Sequence, residues 1–127
     1  MIDHLSLGVD SITAGCDFYD QVLACVGAKR LATFEHLAAY GVDKVEFLLM
    51  LPHDGATASS GNGCHIAFAA PDQDCVKRFH TMAINLGASC EGAPGIREAY
   101  PKADVFAAYI RDPFGNKIEV LHNGFSQ

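Results

Sequence analysis

The chain is predicted to fold as an α+β protein in which two βαβββ modules in tandem form a curved mixed sheet and cleft, with the helices on the outside. Three observations support this prediction. Strand-type alternation and helix-type spacing follow the same order in both halves, a segment rich in small polar residues separates the halves, and several residues recur at a near-constant offset. The offset is 60 or 61 for His4 and His65, Phe18 and Phe79, and Gly27 and Gly87.

The first half is predicted to contain a strand, a helix and three further strands. Ile2–Val9 alternates, with Leu5, Leu7 and Val9 on one face and His4, Ser6 and Gly8 on the other. Ser11 is a suitable N-cap for a helix that runs to about Val26 and ends at Gly27. The three strands that follow are predicted at Ala28–Phe34, His36–Gly41 and Lys44–Leu51.

The second half repeats this order after a linker, Pro52–Gly63. A strand at Gly63–Ala70 leads to Asp72, which is predicted to cap a helix from Gln73 to about Leu86. The later elements are predicted as a strand at Ala88–Glu91, a loop at Gly92–Ala103, a strand at Asp104–Arg111, a turn at Asp112–Asn116 and a strand at Asn116–His122. Lys44–Leu48 resembles Lys117–Leu121 at an offset of 73. The modules are therefore expected at about residues 1–52 and 63–124, joined by a linker at 53–62.

Composition excludes several classes of function. The 127 residues are 50% hydrophobic and 19% charged, which is typical of one globular domain with a core. The net charge of −6, without a cluster of Lys and Arg, disfavours a nucleic-acid partner. Even the mostly apolar stretch Val45–Leu51, which includes Glu46, is too short to span a membrane. An acidic N-terminus without a signal-peptide pattern, and five cysteines without C-x-x-C, favour a reducing, cytoplasmic location.

Two histidines and two glutamates occupy corresponding places in the two halves. His4 and His65 lie in the first strand of each half, and Glu46 and Glu119 lie in the last. Alternation puts these side chains on the faces opposite the apolar ones, which belong to Val45, Phe47, Leu49, Ile118 and Val120. Imidazoles and carboxylates are good ligands for Zn, Ni, Mn or Fe(II), so the set predicts a divalent metal site. The alternative is that the histidines are hydrogen-bonded core residues and the glutamates are charges at the rim.

Three segments make the chain resemble a known group of proteins. They are IDHLSLGV at 2–9, HIAFAAPD at 65–72 and RDPFGNKIEV at 111–120. Together they resemble the vicinal oxygen chelate superfamily, which includes glyoxalase I, fosfomycin- and bleomycin-resistance proteins and extradiol dioxygenases. GAPGIR at 92–97 resembles a small glyoxalase-like branch of that superfamily. The resemblance implies the paired βαβββ fold, a metal held by His4, Glu46, His65 and Glu119, and a homodimer in which sites are sometimes shared between chains.

The function expected from the metal set and the resemblance is that of a glyoxalase I-like lyase or isomerase. Its small-molecule substrate would chelate the metal through two oxygens, as a 2-oxo compound or hemithioacetal does. Glu46 or Glu119 would act as the base. Arg97, Tyr100 and Tyr109 are the candidate substrate-binding residues. The alternatives are a surface charge at Arg97 with a packed ring at Tyr100, and a core position for Tyr109. Two alternatives remain: an Fe(II) dioxygenase, and a metal-free small-molecule or drug-binding protein of the bleomycin-resistance type.

Overall fold

The computed structural model describes every residue from 1 to 127 and contains two helices and eight strands. The first half holds β1 (Leu5–Gly8), α1 (Ile12–Ala24), β2 (Lys29–Thr33), β3 (Leu37–Gly41) and β4 (Phe47–Met50). The second half holds β5 (Ile66–Ala69), α2 (Gln73–Asn85), β6 (Ser89–Ile96), β7 (Phe106–Arg111) and β8 (Lys117–His122). Neither helix combines the length and the apolar composition that a membrane crossing requires.

Each half forms its own four-stranded mixed sheet. The strand order is β1-β4-β3-β2 in the first sheet and β5-β8-β7-β6 in the second. In both sheets the first and last strands of the module pair in parallel, and the remaining neighbours pair in antiparallel fashion. The predicted fold of two βαβββ modules is therefore confirmed.

Local sequence chemistry sets the ends of both helices, as predicted. The Ser11 hydroxyl accepts a hydrogen bond from the Ala14 amide at 3.2 Å, and the Asp72 carboxylate accepts one from the Cys75 amide at 2.6 Å. Both contacts satisfy amides that have no partner within the helix. Gly27 and Gly87 follow the helices at φ values of 80° and 98°, a region that side chains with a Cβ rarely adopt.

The two modules share one hydrophobic core. The buried faces of both helices pack with one face of each sheet, and Phe47 of β4 contacts Phe68 of β5 at a ring-centroid distance of 5.3 Å. In β8 the alternate residues Ile118 and Val120 belong to this core, so Glu119 and Leu121 lie on the opposite face of the sheet. This opposite face is the one on which a site can form.

A buried aspartate ties the modules together at the end of β7. Asp112 accepts hydrogen bonds at Oδ1 from the amides of Phe114 (2.9 Å) and Asn116 (2.7 Å), which confirms the predicted turn. Its Oδ2 accepts from the Tyr19 hydroxyl of α1 at 2.6 Å and from Asn116 Nδ2 at 3.0 Å. Asn116 Nδ2 also donates to the Gly8 carbonyl of β1 at 3.0 Å. One carboxylate therefore organises a turn and connects it to the other module.

The sixth strand is longer than predicted. Instead of ending at Glu91 and giving way to a loop, β6 continues through Pro94 and Gly95 to Ile96. Its register against β7 shifts twice, between Cys90 and Gly92 and between Gly92 and Gly95. Because β6 is an edge strand, a proline without an amide donor and two irregular steps are tolerated there.

The fourth strand begins later than predicted, which changes the match between the modules. Val45 was predicted to pack in the core but is 41% exposed, and Glu46 precedes β4. Leu5 pairs with Phe47, as Ile66 pairs with Ile118. One position further on, Ser6 pairs with Leu48 and Ala67 pairs with Glu119, so Leu48 is the counterpart of Glu119. The offset between corresponding residues of β4 and β8 is therefore 71, and the offset of 73 expected from sequence similarity is wrong.

The four tyrosines of the chain provide a test of packing. Burial is the largest cause that raises the pKa of each of them, namely Tyr19, Tyr40, Tyr100 and Tyr109. In the unfolded chain each would ionise near pH 10. Because only the unfolded state then loses protons, we expect the free energy of unfolding to fall as the pH rises above about 10. We also expect tyrosinate absorbance to appear together with unfolding.

An ultraviolet absorbance titration, run beside circular dichroism, checks this expectation. Between neutral and alkaline pH, the free energy of unfolding should fall less in the Tyr19→Phe variant than in the wild type. Tyrosinate absorbance that develops near pH 10 while the circular dichroism stays native would contradict the packing described here.

Candidate metal centre

The centre of the candidate site is a fully buried carboxylate, Glu119 of β8. In the sheet register Glu119 lies opposite Tyr109 of β7 on one side and Ala67 of β5 on the other. Its face of the sheet points away from the shared core, towards the side where Ala67 and Ala69 are exposed. A buried carboxylate on this face has a high desolvation cost, so its partners decide its role.

The two oxygens of Glu119 have different surroundings. Oε1 accepts hydrogen bonds from the hydroxyls of Tyr100 at 2.7 Å and Tyr109 at 2.8 Å. Oε2 is buried and has no hydrogen-bond partner. His65 Nε2 lies 3.2 Å from Oε2, within ion-pair range but not aligned for a hydrogen bond. The carboxylate is thus held by one oxygen and presents the other beside an imidazole nitrogen.

Tyr100 and Tyr109 are protonated at neutral pH and can donate to Glu119. Burial, followed by the hydrogen bond to Glu119, raises the pKa of Tyr100 and of Tyr109 above the ordinary value for tyrosine. At neutral pH the phenols are therefore hydrogen-bond donors to Oε1. They fix the orientation of the carboxylate in the way that outer hydrogen bonds orient metal-ligating side chains.

Arg97 supports Tyr109 in this arrangement. Its guanidinium lies 5.3 Å from the centre of the Tyr109 ring, and its NH2 group donates to the carbonyls of Ala93 (2.5 Å) and Ala107 (2.9 Å). Its Nε is buried without a partner. The structure therefore places Arg97 behind Tyr109, which itself contacts Glu119.

His4 and Glu46 lie apart from this group. His4 immediately precedes β1, and Glu46 immediately precedes the parallel strand β4. The His4 side chain is 47% exposed and contacts Asp3 at 2.7 Å, while the exposed Glu46 carboxylate lies 3.5 Å from the Val42 amide. No group of three or more His, Cys, Asp or Glu side chains within one chain is arranged to hold a metal ion. One chain thus brings together His65 and Glu119, but not the full predicted set.

Two cavities meet at His65. One, of about 250 Å³, is lined by Glu119, Tyr100 and the C-terminal residues Gly124–Gln127. The other, of about 570 Å³, is lined by the loop at 60–64 together with Arg111 and Lys117. The contribution of the C-terminal residues could not be predicted from the sequence, because they follow the last strand and show no periodic pattern.

Comparison with known proteins agrees with the fold. The family model described as "Glyoxalase/Bleomycin resistance protein/Dioxygenase superfamily" matches residues 1–120. A glyoxalase/bleomycin resistance protein from Albidiferax ferrireducens T118 is 32% identical, with 95% of this chain and 97% of that chain covered and a TM-score of 0.85. No curated protein matches the chain.

More distant solved structures share the fold alone. A glyoxalase-related enzyme from Fulvimarina pelagi is 15% identical, with 97% of this chain and 88% of that chain covered and a TM-score of 0.75. A lactoylglutathione lyase from Agrobacterium tumefaciens is 23% identical, with 97% and 93% covered and a TM-score of 0.66. From the family match and the 32% identical relative, we conclude that the chain belongs to the glyoxalase/bleomycin resistance protein/dioxygenase superfamily.

Proposed function

We propose that the protein is a metal-dependent enzyme, a glyoxalase-like lyase or isomerase that acts on a small substrate with two chelating oxygens, such as a 2-oxo compound or a hemithioacetal. The observation that carries the proposal is the buried Glu119 Oε2, which has no hydrogen-bond partner and lies 3.2 Å from His65 Nε2. An unpaired buried carboxylate oxygen costs on the order of 1–3 kcal/mol, and more when charged. A structure retains such a group most readily where it is used.

The chemistry of this pair fits a divalent ion. An imidazole nitrogen and a carboxylate oxygen are ligands that Zn, Ni, Mn and Fe(II) accept. The Tyr100 and Tyr109 hydroxyls occupy Oε1, so Oε2 is the oxygen that remains for an ion or a proton. A bound ion would act as a Lewis acid and polarise the oxygens of a substrate.

Residues of the chain would carry out the proton transfer. We propose Glu119 as the base that takes a proton at Oε2, when this oxygen does not hold the ion, from the carbon beside a substrate carbonyl. Tyr100 and Tyr109 hold Oε1 and are its positioning residues. Arg97 acts through Tyr109, whose ring it stacks on. Glu46 is the second candidate for the base and for a metal ligand. Its carboxylate is exposed, and it can take either role only if it approaches His65 and Glu119.

A shared site in a homodimer would complete the ligand set. His4 adjoins the first sheet, and His65 adjoins the second, where Glu119 also lies. Because no three ligands meet within one chain, we propose that His4 of one copy joins His65 and Glu119 of another. Residues from both copies then form each site, which two-fold symmetry repeats.

Mixing two inactive variants tests the shared site. His4→Ala and His65→Ala should each lose tight metal binding. When the two are refolded together, half of the dimers are mixed, and each mixed dimer has one intact site. We therefore expect roughly a quarter of the wild-type metal content to return. If the site lies within one chain, the mixture binds no more metal than either variant alone.

Hydrogen–deuterium exchange tests the proposed reaction without knowledge of the natural substrate. In D₂O, NMR follows deuterium incorporation at the carbon atoms next to the carbonyl of 1-hydroxy-2-propanone. Protein loaded with Zn, Ni, Mn or Fe(II) should accelerate exchange, and Glu119→Gln should reduce the rate at least about 100-fold. Equal rates with and without each ion would contradict the proposal.

A further inference from the structure

The C-terminal segment is tied back against the second module instead of extending away from it. After β8, Asn123 adopts φ 61° and turns the chain. Lys102 Nζ then donates to the carbonyls of Gly124 and Gln127, both at 2.6 Å. The Gln127 side chain donates to the Ala70 carbonyl at the end of β5 at 2.9 Å. Three hydrogen bonds on both sides of residues 125–126 thus hold this segment beside the Glu119 cavity.

Phe125 links this segment to the candidate site. Its ring lies 5.3 Å from the ring of Tyr100, tilted by 41°, and the Tyr100 hydroxyl donates to Glu119. Phe125 is nonetheless 73% exposed, so part of its ring is open to a ligand. An aromatic ring that lines a cavity and is partly exposed is suited to contact a ligand.

The cavity that Phe125 lines contains both polar and apolar side chains. His65 and Glu119 lie at one end, and Ser126 and Gln127 belong to the C-terminal segment. Ala69 and Leu121 follow Ala67 and Glu119 along the paired strands β5 and β8 and give the cavity an apolar lining. Its volume of about 250 Å³ corresponds to roughly eight water-sized groups and is smaller than the cavities that hold drug-sized ligands.

We propose that this cavity is a subsite for a short apolar chain attached to an oxygen-bearing head group, and that Phe125 determines the longest chain it accepts. The head group would meet His65 and Glu119, and the chain would lie over the alanines beneath the Phe125–Tyr100 wall. This inference rests on the proposed function for the role of the head group. It adds the size and polarity of the substrate.

A homologous series of 1-hydroxy-2-alkanones, from three to nine carbons, tests the subsite. NMR shifts of the Ala67 and Ala69 methyl groups report binding, with zinc-loaded and with metal-free protein. We expect affinity to rise about fourfold for each added methylene, as for other buried methylenes. The rise should stop near six carbons, when the cavity is full, since such a molecule has about eight non-hydrogen atoms.

Phe125→Ala should extend this limit by at least two carbons, and Phe125→Leu should give an intermediate limit. Phe34→Ala is the matched control, because Phe34 is a 63% exposed phenylalanine outside the cavity lining and should leave the limit unchanged. A series without a limit, a limit that Phe125→Ala does not move, or no shift at the two alanines would overturn the subsite.

The two proposals fail in different ways. If none of Zn, Ni, Mn and Fe(II) binds but the chain-length limit still moves with Phe125, the metal-dependent function is wrong and the subsite stands. If an ion binds and the limit is absent or fixed, the subsite is wrong and the function stands. Failure of every ion and of all probes to bind contradicts both.

Discussion

Replacing Glu119 with glutamine is expected to abolish tight metal binding and to leave the metal-free protein as stable as the wild type or more stable. Glutamine keeps an oxygen to accept from Tyr100 and Tyr109, at 2.7 and 2.8 Å in the wild type. It removes the buried charge and replaces the unpartnered Oε2 with an amide group that can donate to a neutral His65. We expect a gain of up to about 1–3 kcal/mol in the free energy of unfolding and a loss of at least about 100-fold in zinc affinity.

Two measurements check this combination. Isothermal titration calorimetry gives the zinc affinity, and urea unfolding of chelator-treated protein gives the stability. The control is Glu98→Gln, because Glu98 is exposed and should change neither quantity by more than about 0.5 kcal/mol. A Glu119→Gln protein that loses several kcal/mol of stability and binds zinc normally would show that the carboxylate serves the fold instead of the metal.

Replacing Asp112 with alanine is expected to give a large loss of stability, although this residue lies outside the candidate site. The buried carboxylate accepts from four donors: the Tyr19 hydroxyl, the Phe114 and Asn116 amides and Asn116 Nδ2. Alanine leaves these donors without their acceptor and separates α1 from the turn. We expect a loss of about 3–5 kcal/mol, a large share of the 5–15 kcal/mol that is typical of a domain.

Urea unfolding of three variants resolves the contributions. Tyr19→Phe removes one donor and should cost about 1.5–3 kcal/mol, as for a hydrogen bond to a charged group. Asp17→Ala is the matched control, because Asp17 is exposed on the same helix that carries Tyr19. It should change stability by no more than about 0.5 kcal/mol. A loss below about 1 kcal/mol in Asp112→Ala would mean that water replaces the lost acceptor.

Features that depend on neighbouring residues were predictable from the sequence. Ser11 and Asp72 cap the helices because their side chains reach amides three residues ahead. Alternation in β8 placed Ile118 and Val120 in the core and Glu119 on the other face, as the structure confirms. These features need only the geometry of one helix turn or one strand.

Features that depend on pairing between distant strands were not predictable. The length of β6 is set by its contacts with β7, which continue past two irregular steps around Gly92. The start of β4 is set by its parallel pairing with β1, and this register makes Leu48 the counterpart of Glu119. Sequence similarity made Glu46 the counterpart of Glu119, because similarity alone cannot detect a shift of two residues within a short apolar strand.

The candidate site shows the same division. The faces of His65 and Glu119 followed from alternation, and the structure brings the two side chains to 3.2 Å. The role of Tyr100 and Tyr109 as partners of Glu119 did not follow, since it requires a loop and a neighbouring strand to converge on one oxygen. Phe125 gave no signal at all, because its place depends on Lys102 and on the contacts of the residues around it.

The claim that His65 and Glu119 form a metal centre is tested most directly by metal analysis of the purified protein. Inductively coupled plasma mass spectrometry is applied as purified and after reconstitution with Zn, Ni, Mn or Fe(II), beside His65→Ala. If this claim holds, we expect about one ion per chain in the wild type and almost none in the variant. A wild type that holds no ion after reconstitution, yet binds 1-hydroxy-2-alkanones at Ala67 and Ala69, would contradict it and indicate a metal-free binding protein.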